Sequence, residues 1–433
     1  MKKIFGAFLW ASISISAFAQ SGTNSPYSQY GFGVLSDQTS GFNRGMNGLG
    51  YGFRENDQVN FINPASYSAL DSLTFIFDVG LSGQLTHFEE GNRKLNAKNA
   101  DLEYVVAGLR LAKHLGLSFG LVPFTNIGYN YSNTATIHID ENYTKTTTTN
   151  AYVGKGGLHQ VYLGAGWELF KGFSLGVNVS YLWGKYDRSI VNSYSDMSIN
   201  TVSKYYSASV HNYKLDVGLQ YTARLSRQDQ VTLGATYSLG HRLNADPSLS
   251  IISQNPQTGI RDTTLFTVNN GLELPSAIGG GLGWNHRNQI KIGADYLLQQ
   301  WSKTSYPNYT MANGTPQYVL TQGMFKDRHK FTFGGEFCQD ANSRHFFQRM
   351  HYRIGASYAT PYLKINGLDG PSEISVSAGF GIPIVNSWNN RSMLNISAQW
   401  VRQDAKDLIK ENTFRINIGL TFNERWFAKW KVQ

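Results

Sequence analysis

The segment 414–422 carries Phe414, Ile416, Ile418, Leu420 and Phe422 on one parity and Arg415, Asn417, Gly419 and Thr421 on the other. Successive side chains of a strand point to opposite faces, so this run is apolar on one face and polar on the other along its whole length. The pattern recurs through most of the chain. Phe173, Leu175, Val177, Val179, Tyr181 and Trp183 interleave with Ser174, Gly176, Asn178, Ser180 and Gly184, with Leu182 the exception on the polar side. Val231 to Ser238, Lys330 to Gly334 and Ile374 to Ile382 alternate in the same way. Strands that are half apolar suit a wall between lipid and water.

No stretch beyond the N-terminus approaches the roughly 20 consecutive apolar residues a spanning helix needs, which excludes helical membrane spans. Separate small β domains would need linkers, and no Pro-, Ser- or charge-rich linker divides the 433 residues. The expected fold is therefore all-β: a transmembrane antiparallel barrel of about fourteen strands, within a range of twelve to sixteen, running from 73–83 to 414–422. Short turns, such as Lys171–Gly172 and 226–230, should alternate with long external loops at 126–157, 186–212, 240–276 and 302–329. Trp167, Tyr181, Trp183, Trp284, Trp301, Trp400, Trp426 and Trp430 fall near strand ends, where amphipathic rings form interfacial girdles.

Lys2 and Lys3, an apolar run from Ile4 to Ile15, and Ala17-Phe18-Ala19 read as a cleaved export signal over residues 1–19. Outer-membrane residence in a Gram-negative envelope follows. The lone Cys338 forbids an intrachain disulfide. Net charge is +9, spread singly along strands and turns. That distribution argues against nucleic acid and suits anionic lipid and lipopolysaccharide headgroups, or simply a solvated surface.

Residues 20–72 lack alternation and are rich in Gly, Asn, Ser and aromatic residues, among them Tyr27, Phe32, Phe42, Met46, Tyr51 and Phe61. This segment is too aromatic for a disordered tail and is expected to fill the lumen as a plug. Inward-facing glycines would let it approach the wall backbone. Lys214, Asp216, Lys291, Asp295, Lys330, Glu336, Arg353 and Arg415 share the lumen parity of their strands. Their mixed signs fit ion pairs between plug and wall, or ion selectivity if the lumen holds water. Pro123 cannot donate to a ladder, so it marks either a break in the wall or the end of a short strand. No catalytic motif, metal-ligand spacing or cofactor signature is present: catalytic residues none, metal none, cofactors none.

Three short motifs resemble the FadL-type outer-membrane transporters of long-chain fatty acids and other hydrophobic molecules. These are Asn63-Pro64-Ala65 in "INPAS", "GLVPF" at 120–124, and "LELPSAIGGGLGW" at 272–284. The resemblance implies a plug hinge at Asn63, Pro64 and Ala65, a lateral opening at Pro123 and Phe124, and Pro275 and Ser276 where the chain enters a mid-barrel strand. It also implies passive uptake of a hydrophobic small molecule by plug displacement and sideways exit into lipid. Two features depart from that family: loops at 126–157 and 186–212 that are polar and lack amphipathic helices, and a basic aromatic tail at 423–433. They fit an alternative, a non-transporting structural or docking barrel bound to an outer-membrane protein partner.

Overall fold

The computed structural model describes residues 22–72, 74–138, 145–384 and 392–424; the segment read from sequence as an export signal and most of the C-terminal tail, with Trp426 and Trp430, lie outside them. Fourteen strands close an antiparallel barrel. They are β1 (Phe75–Glu90), β2 (Arg93–Ala112), β3 (Leu115–His138), β4 (Lys145–Phe170), β5 (Phe173–Tyr194), β6 (Thr201–Arg224) and β7 (Asp229–Ser238). The other half comprises β8 (Ala277–His286), β9 (Ile290–Gln299), β10 (Arg328–Phe337), β11 (His351–Ala359), β12 (Ser372–Ile384), β13 (Ser392–Asp404) and β14 (Lys410–Glu424). Each pairs with its sequence neighbour, and β1 closes on β14 from Phe75↔Glu424 to Glu89↔Lys410. Asn423 and Glu424, assigned to the tail from sequence, are the end of this last strand.

The alternation sorts as a membrane barrel requires. Leu163, Val179, Leu233, Phe333, Ile354 and Ile418 point outward and are all about half exposed or more, while Ser118, Asn178, Gln220, Ser375, Asn417 and Thr421 are buried toward the lumen. An apolar belt of that extent is stable only against lipid.

Strand lengths are uneven, and the sequence did not show this. A crossing needs roughly 9–11 residues, which β7 to β11 supply with 9 or 10 each. By contrast β3 to β6 run to 24, 26, 22 and 24 residues. The expected loops at 126–157 and 186–212 are therefore mostly strand: register continues from Asn126↔Gly157 to His138↔Lys145 and from Lys185↔Ser209 to Asn192↔Val202. Their Thr- and Ser-rich, two-faced polarity belongs to a sheet standing in water above the membrane. A hairpin of Ser248–Gln254 and Arg261–Thr267 inside the next connection extends this sheet by pairing with β6. The connection at 302–329 likewise carries a hairpin, Tyr306–Ala312 with Thr315–Thr321.

The N-terminal segment fills the lumen. It contains 3₁₀ turns at Pro26–Gln29 and Pro64–Ala69 and one helical turn at Gly41–Gly45. Phe42, Met46, Leu49, Val59, Ala65 and Tyr67 are all at most 1 % exposed. The fit depends on a belt of wall glycines in direct register, Gly116↔Gly166↔Gly176↔Gly218 on one side and Gly283↔Gly293↔Gly334↔Gly355 on the other. A Cβ on Gly176 would sit 2.3 Å from the Pro64 carbonyl carbon, and one on Gly355 would sit 2.3 Å from that of Met46. Only glycine permits such backbone-to-backbone approach.

Trp301 is not a girdle residue. It is fully buried among Phe32, Phe325 and Tyr362 in an aromatic cluster over the plug. Leu182, the exception to its strand's alternation, is buried in the same cluster. Trp167, Tyr181 and Trp400 do face outward and are 41–54 % exposed.

Candidate functional site

The wall is interrupted on one side. Pairing of β2 with β3 runs outward from the periplasmic turn to Val105↔Leu121 and stops. Pro123 follows within two residues, at a register shift against β4 where Phe124 is bulged between Pro123↔His159 and Thr125↔Leu158. Without an amide hydrogen Pro123 cannot continue a ladder, and the bulge twists β3 away from β2. Pro123 is buried and Phe124 packs against the aromatic cluster. Both readings of Pro123 assumed that something changes there; the strand itself continues fifteen residues further, to His138.

The break is partly filled by the chain's own N-terminal segment, beside an open pocket of about 450 Å³ lined by Gly22, Asp101, Asn126, Gly156, Gly157 and His159. Val34 and Leu35 form a two-residue antiparallel strand on Asn126 and Thr125, and the Ser36 amide donates to the Phe124 carbonyl at 3.1 Å. On the β1–β2 side of the break, Gln84 Nε2 donates to the Gly22 carbonyl at 3.2 Å, and Asn24 Nδ2 donates to that of Lys98 at 3.2 Å. Asn126 Nδ2 reaches across the break to Asp101 Oδ2 at 3.4 Å.

Asn63, Pro64 and Ala65 lie on the opposite wall from this break. Asn63 caps the Pro64–Ala69 turn by accepting from the Ala65 amide. It also donates to the carbonyls of Tyr51 and Leu219, each at 3.1 Å, which fastens this turn to β6 against Gly166, Gly176 and Gly218. Pro275 and Ser276 lead into β8, where Ser276 Oγ donates to Gln300 Oε1 at 2.8 Å.

Of the eight charges expected to face the lumen, four reach the plug directly. Lys291 bridges plug Glu55 at 2.7 Å and wall Glu336 at 3.1 Å. Asp295 accepts from the amides of Gly50 and Tyr51 at 2.6 and 3.0 Å. Lys330 and Arg415 converge on Asp37 at 3.3 and 3.4 Å. Burial alone would raise the Asp37 carboxyl, but the cations of Lys330, Arg415 and Arg44 outweigh it and hold the group well below its ordinary range. The rest pair within the wall: Lys214 with Asp216 at 2.5 Å, and Arg353 with Glu336 at 2.6 Å.

Several plug residues in this network were not singled out from sequence. Arg44 is buried and pairs with Glu103 at 2.7 Å. Asn47 donates to Ser357 Oγ at 2.7 Å and accepts from Ser375 Oγ and Gln399 Nε2 at 2.8 and 2.9 Å, spanning β11, β12 and β13. Arg54 pairs with Glu168 at 3.6 Å. The available signal was the presence of charges in a Gly- and aromatic-rich segment that has to be buried.

Two further spaces remain. An inner cavity of about 190 Å³ between plug and β6 to β10 is lined by Asp37, Lys214, Asp216, Asp295, Arg328 and Lys330. An outer bowl of about 830 Å³ is lined by tyrosines, among them Tyr129, Tyr131, Tyr152, Tyr186, Tyr306 and Tyr318. The first is smaller than the pockets of roughly 300–1,000 Å³ that enclose drug-sized ligands, and its charged residues share the lining with Leu35, Phe61, Ile62, Phe124, Leu297 and Trp301.

The fold is that of hydrocarbon channels. The chain superposes on the toluene transporter TbuX of Ralstonia pickettii with TM-score 0.60 at 14% identity, covering 88% of this chain and 97% of that one. For the toluene transporter TodX of Pseudomonas putida the TM-score is 0.58 at 12% identity, covering 91% and 100%. A Pseudomonas aeruginosa FadL homologue matches with TM-score 0.57 at 12% identity, covering 89% and 98%. No curated protein sequence matches. The BamG family model matches residues 1–433, and this chain, a FadL-like barrel with a fastened plug, thus belongs to the BamG family.

Proposed function

We propose that this protein is a non-transporting barrel subunit of a larger outer-membrane machine, the BAM complex to which the family name refers. The observation that carries this reading is the fastening of the plug. Buried or half-buried polar contacts tie it to β2, β4, β6 and every strand from β9 to β14. Removing one partner of a single buried pair costs roughly 3–5 kcal/mol, so displacing the whole segment to open a path would need many such losses together. The cavity that would receive an alkyl chain mixes apolar residues such as Leu35, Phe61, Ile62, Leu297 and Trp301 with carboxylates, ammonium groups and a guanidinium, and desolvating those charged groups offsets part of what hydrocarbon gains there. Partner chemistry is supported by the family name and the polar external sheet.

A second reading keeps the transporter mechanism: passive uptake of a hydrophobic, long-chain fatty acid-like molecule, with the turn at Asn63, Pro64 and Ala65 as hinge and exit beside Pro123 and Phe124. It is favoured by the stop in β2–β3 pairing at Leu121 and by the fold shared with toluene transporters. Native mass spectrometry with lipid extraction on gently purified outer membranes separates the two. A stoichiometric complex around an empty barrel supports the subunit reading; a lone chain carrying a hydrophobe overturns it.

A further inference from the structure

Above the break, β3 is a strand with one side open. On the other side it pairs with β4 without interruption to His138↔Lys145. Toward β2 its lower backbone groups are already taken by the N-terminal segment: the Phe124 carbonyl by Ser36, Asn126 by the Val34 pairing, and the amide and carbonyl of Gly128 by Ser28 Oγ at 3.1 and 3.3 Å. Backbone groups of alternate residues point to the same side of a strand. Asn130, Ser132, Thr134 and Thr136 therefore continue this open side, and among the described residues no backbone group pairs with them there. All four are exposed. An exposed edge of this length is normally blunted, covered or used.

Beside this edge lies the tyrosine bowl, with Tyr131 and Tyr152 stacked at 4.9 Å between ring centres. Its floor is rigid. Arg188 donates to the Gly31 carbonyl at 2.6 Å and to Tyr306 Oη at 3.2 Å while its guanidinium lies 4.6 Å from the Tyr186 ring centre. Preset tyrosines give large amphipathic contact area at little entropic cost, which is how many paratopes hold polypeptide. The bowl also takes Arg93, Lys364 and Arg188 against the single carboxylate of Glu90.

We infer that the outer edge of β3, from Asn130 to Thr136, receives an extended segment of another polypeptide by strand addition, with every second side chain of that segment laid into the tyrosine bowl. The protein already makes this contact with itself, because Val34–Leu35 is an antiparallel strand added to the same edge four residues lower. Main-chain bonds would give affinity and the bowl specificity. The positive balance selects a segment that is neutral or acidic, with apolar or aromatic residues at alternate positions. The inference rests on the subunit reading and adds the surface and the form of the partner.

The test is a photo-crosslinking amino acid placed at Thr134, and separately at Ser132, in whole cells, with the adducts digested and sequenced by mass spectrometry. Gln257, equally on the external face at the tip of the 248–267 hairpin, serves as control. The expected result is one partner peptide, with the crosslinked position shifting by two residues in the antiparallel direction between the two probes. Ser132→Pro should lower the Thr134 yield by at least ten-fold. Its amide points to the open side, so the ladder to β4 survives; the heat-modified mobility of the barrel, and the second variant Asn130→Pro, verify that folding is retained. Glycan or lipid adducts alone, a second copy of this chain, no adduct, or an adduct indifferent to both proline variants would overturn the inference. A stoichiometric complex recovered together with any of those results leaves the subunit reading standing, whereas loss of the complex as well removes both.

Discussion

The membrane-level lumen and the external bowl are built from the same strands and are opposite in construction. In the lumen the wall residues are glycine where the plug touches and ionic where it is tied: Gly176 against Pro64, Gly355 against Met46, Lys291 against Glu55, Arg415 against Asp37. In the bowl the wall residues are tyrosines, the space is about four times larger, and one strand edge is left open. A region packed backbone to backbone and tied by ion pairs holds a shape. A region with preset rings and unpaired backbone is the one fitted to meet something else, which assigns structure to the lumen and recognition to the outside.

The strongest way to break this contrast is to deny the plug its seat. Gly176→Leu places a side chain on the Pro64 backbone; overpacking costs about 1–3 kcal/mol and more where backbone must move. The N-terminal segment should become protease-accessible and folded yield should fall, while Gly83→Leu, which has nothing within 4 Å of its Cβ, changes neither. Equal behaviour of the two variants would mean that the plug is not held by close approach.

Next in size is Arg44→Met, which strands Glu103 without its cation in a buried setting and should cost about 3–5 kcal/mol. Pairing it with Glu103→Gln should recover much of that loss in a thermal unfolding comparison. No recovery would show that packing of the arginine stem, not charge, is what counts.

A smaller effect concerns acid. The Asp37 carboxyl is depressed in the folded state, so its contribution is complete above its ordinary value of 3.8 and is lost only as pH falls through the lower folded value. Protease accessibility of the plug should therefore stay flat from pH 7 to 4 and rise only in stronger acid. Asp37→Asn should abolish this dependence, and a rise already at pH 5 would point to a different group.

Smallest is Pro123→Ala. With Val34–Leu35 already on β3, a restored amide has little new to pair with, and truncating this buried ring should lower stability only at the low end of the usual range for point substitutions, about 0.5–1 kcal/mol. Assembly should be unaffected and toluene or oleate uptake into liposomes should stay at background. A measurable uptake that this variant slows would revive the sideways exit.

Much of this arrangement was legible from the chain alone, for definite reasons. Period two fixes which side chains share a face, so the apolar belt, the inward charges and the inward glycines follow directly from parity. Pro123 announced a disturbance because a missing donor acts wherever the residue sits. Leu182 and Trp301 were harder. Each breaks or completes a pattern along its own strand, and their burial against Phe32 and the other cluster residues depends on segments far away in sequence.

Alternation, then, is a local property that each strand states for itself, and it determined the class of fold, the lipid face and the lumen face. Tertiary structure alone decided which charges meet, since Asp37 finds Lys330 and Arg415 across 293 and 378 residues of chain and only barrel closure brings them together. It alone decided where the strands end as well. Polar residues at 126–138 satisfy a loop and a water-standing sheet equally well, and the choice between them was made by the neighbouring strand that supplies hydrogen bonds.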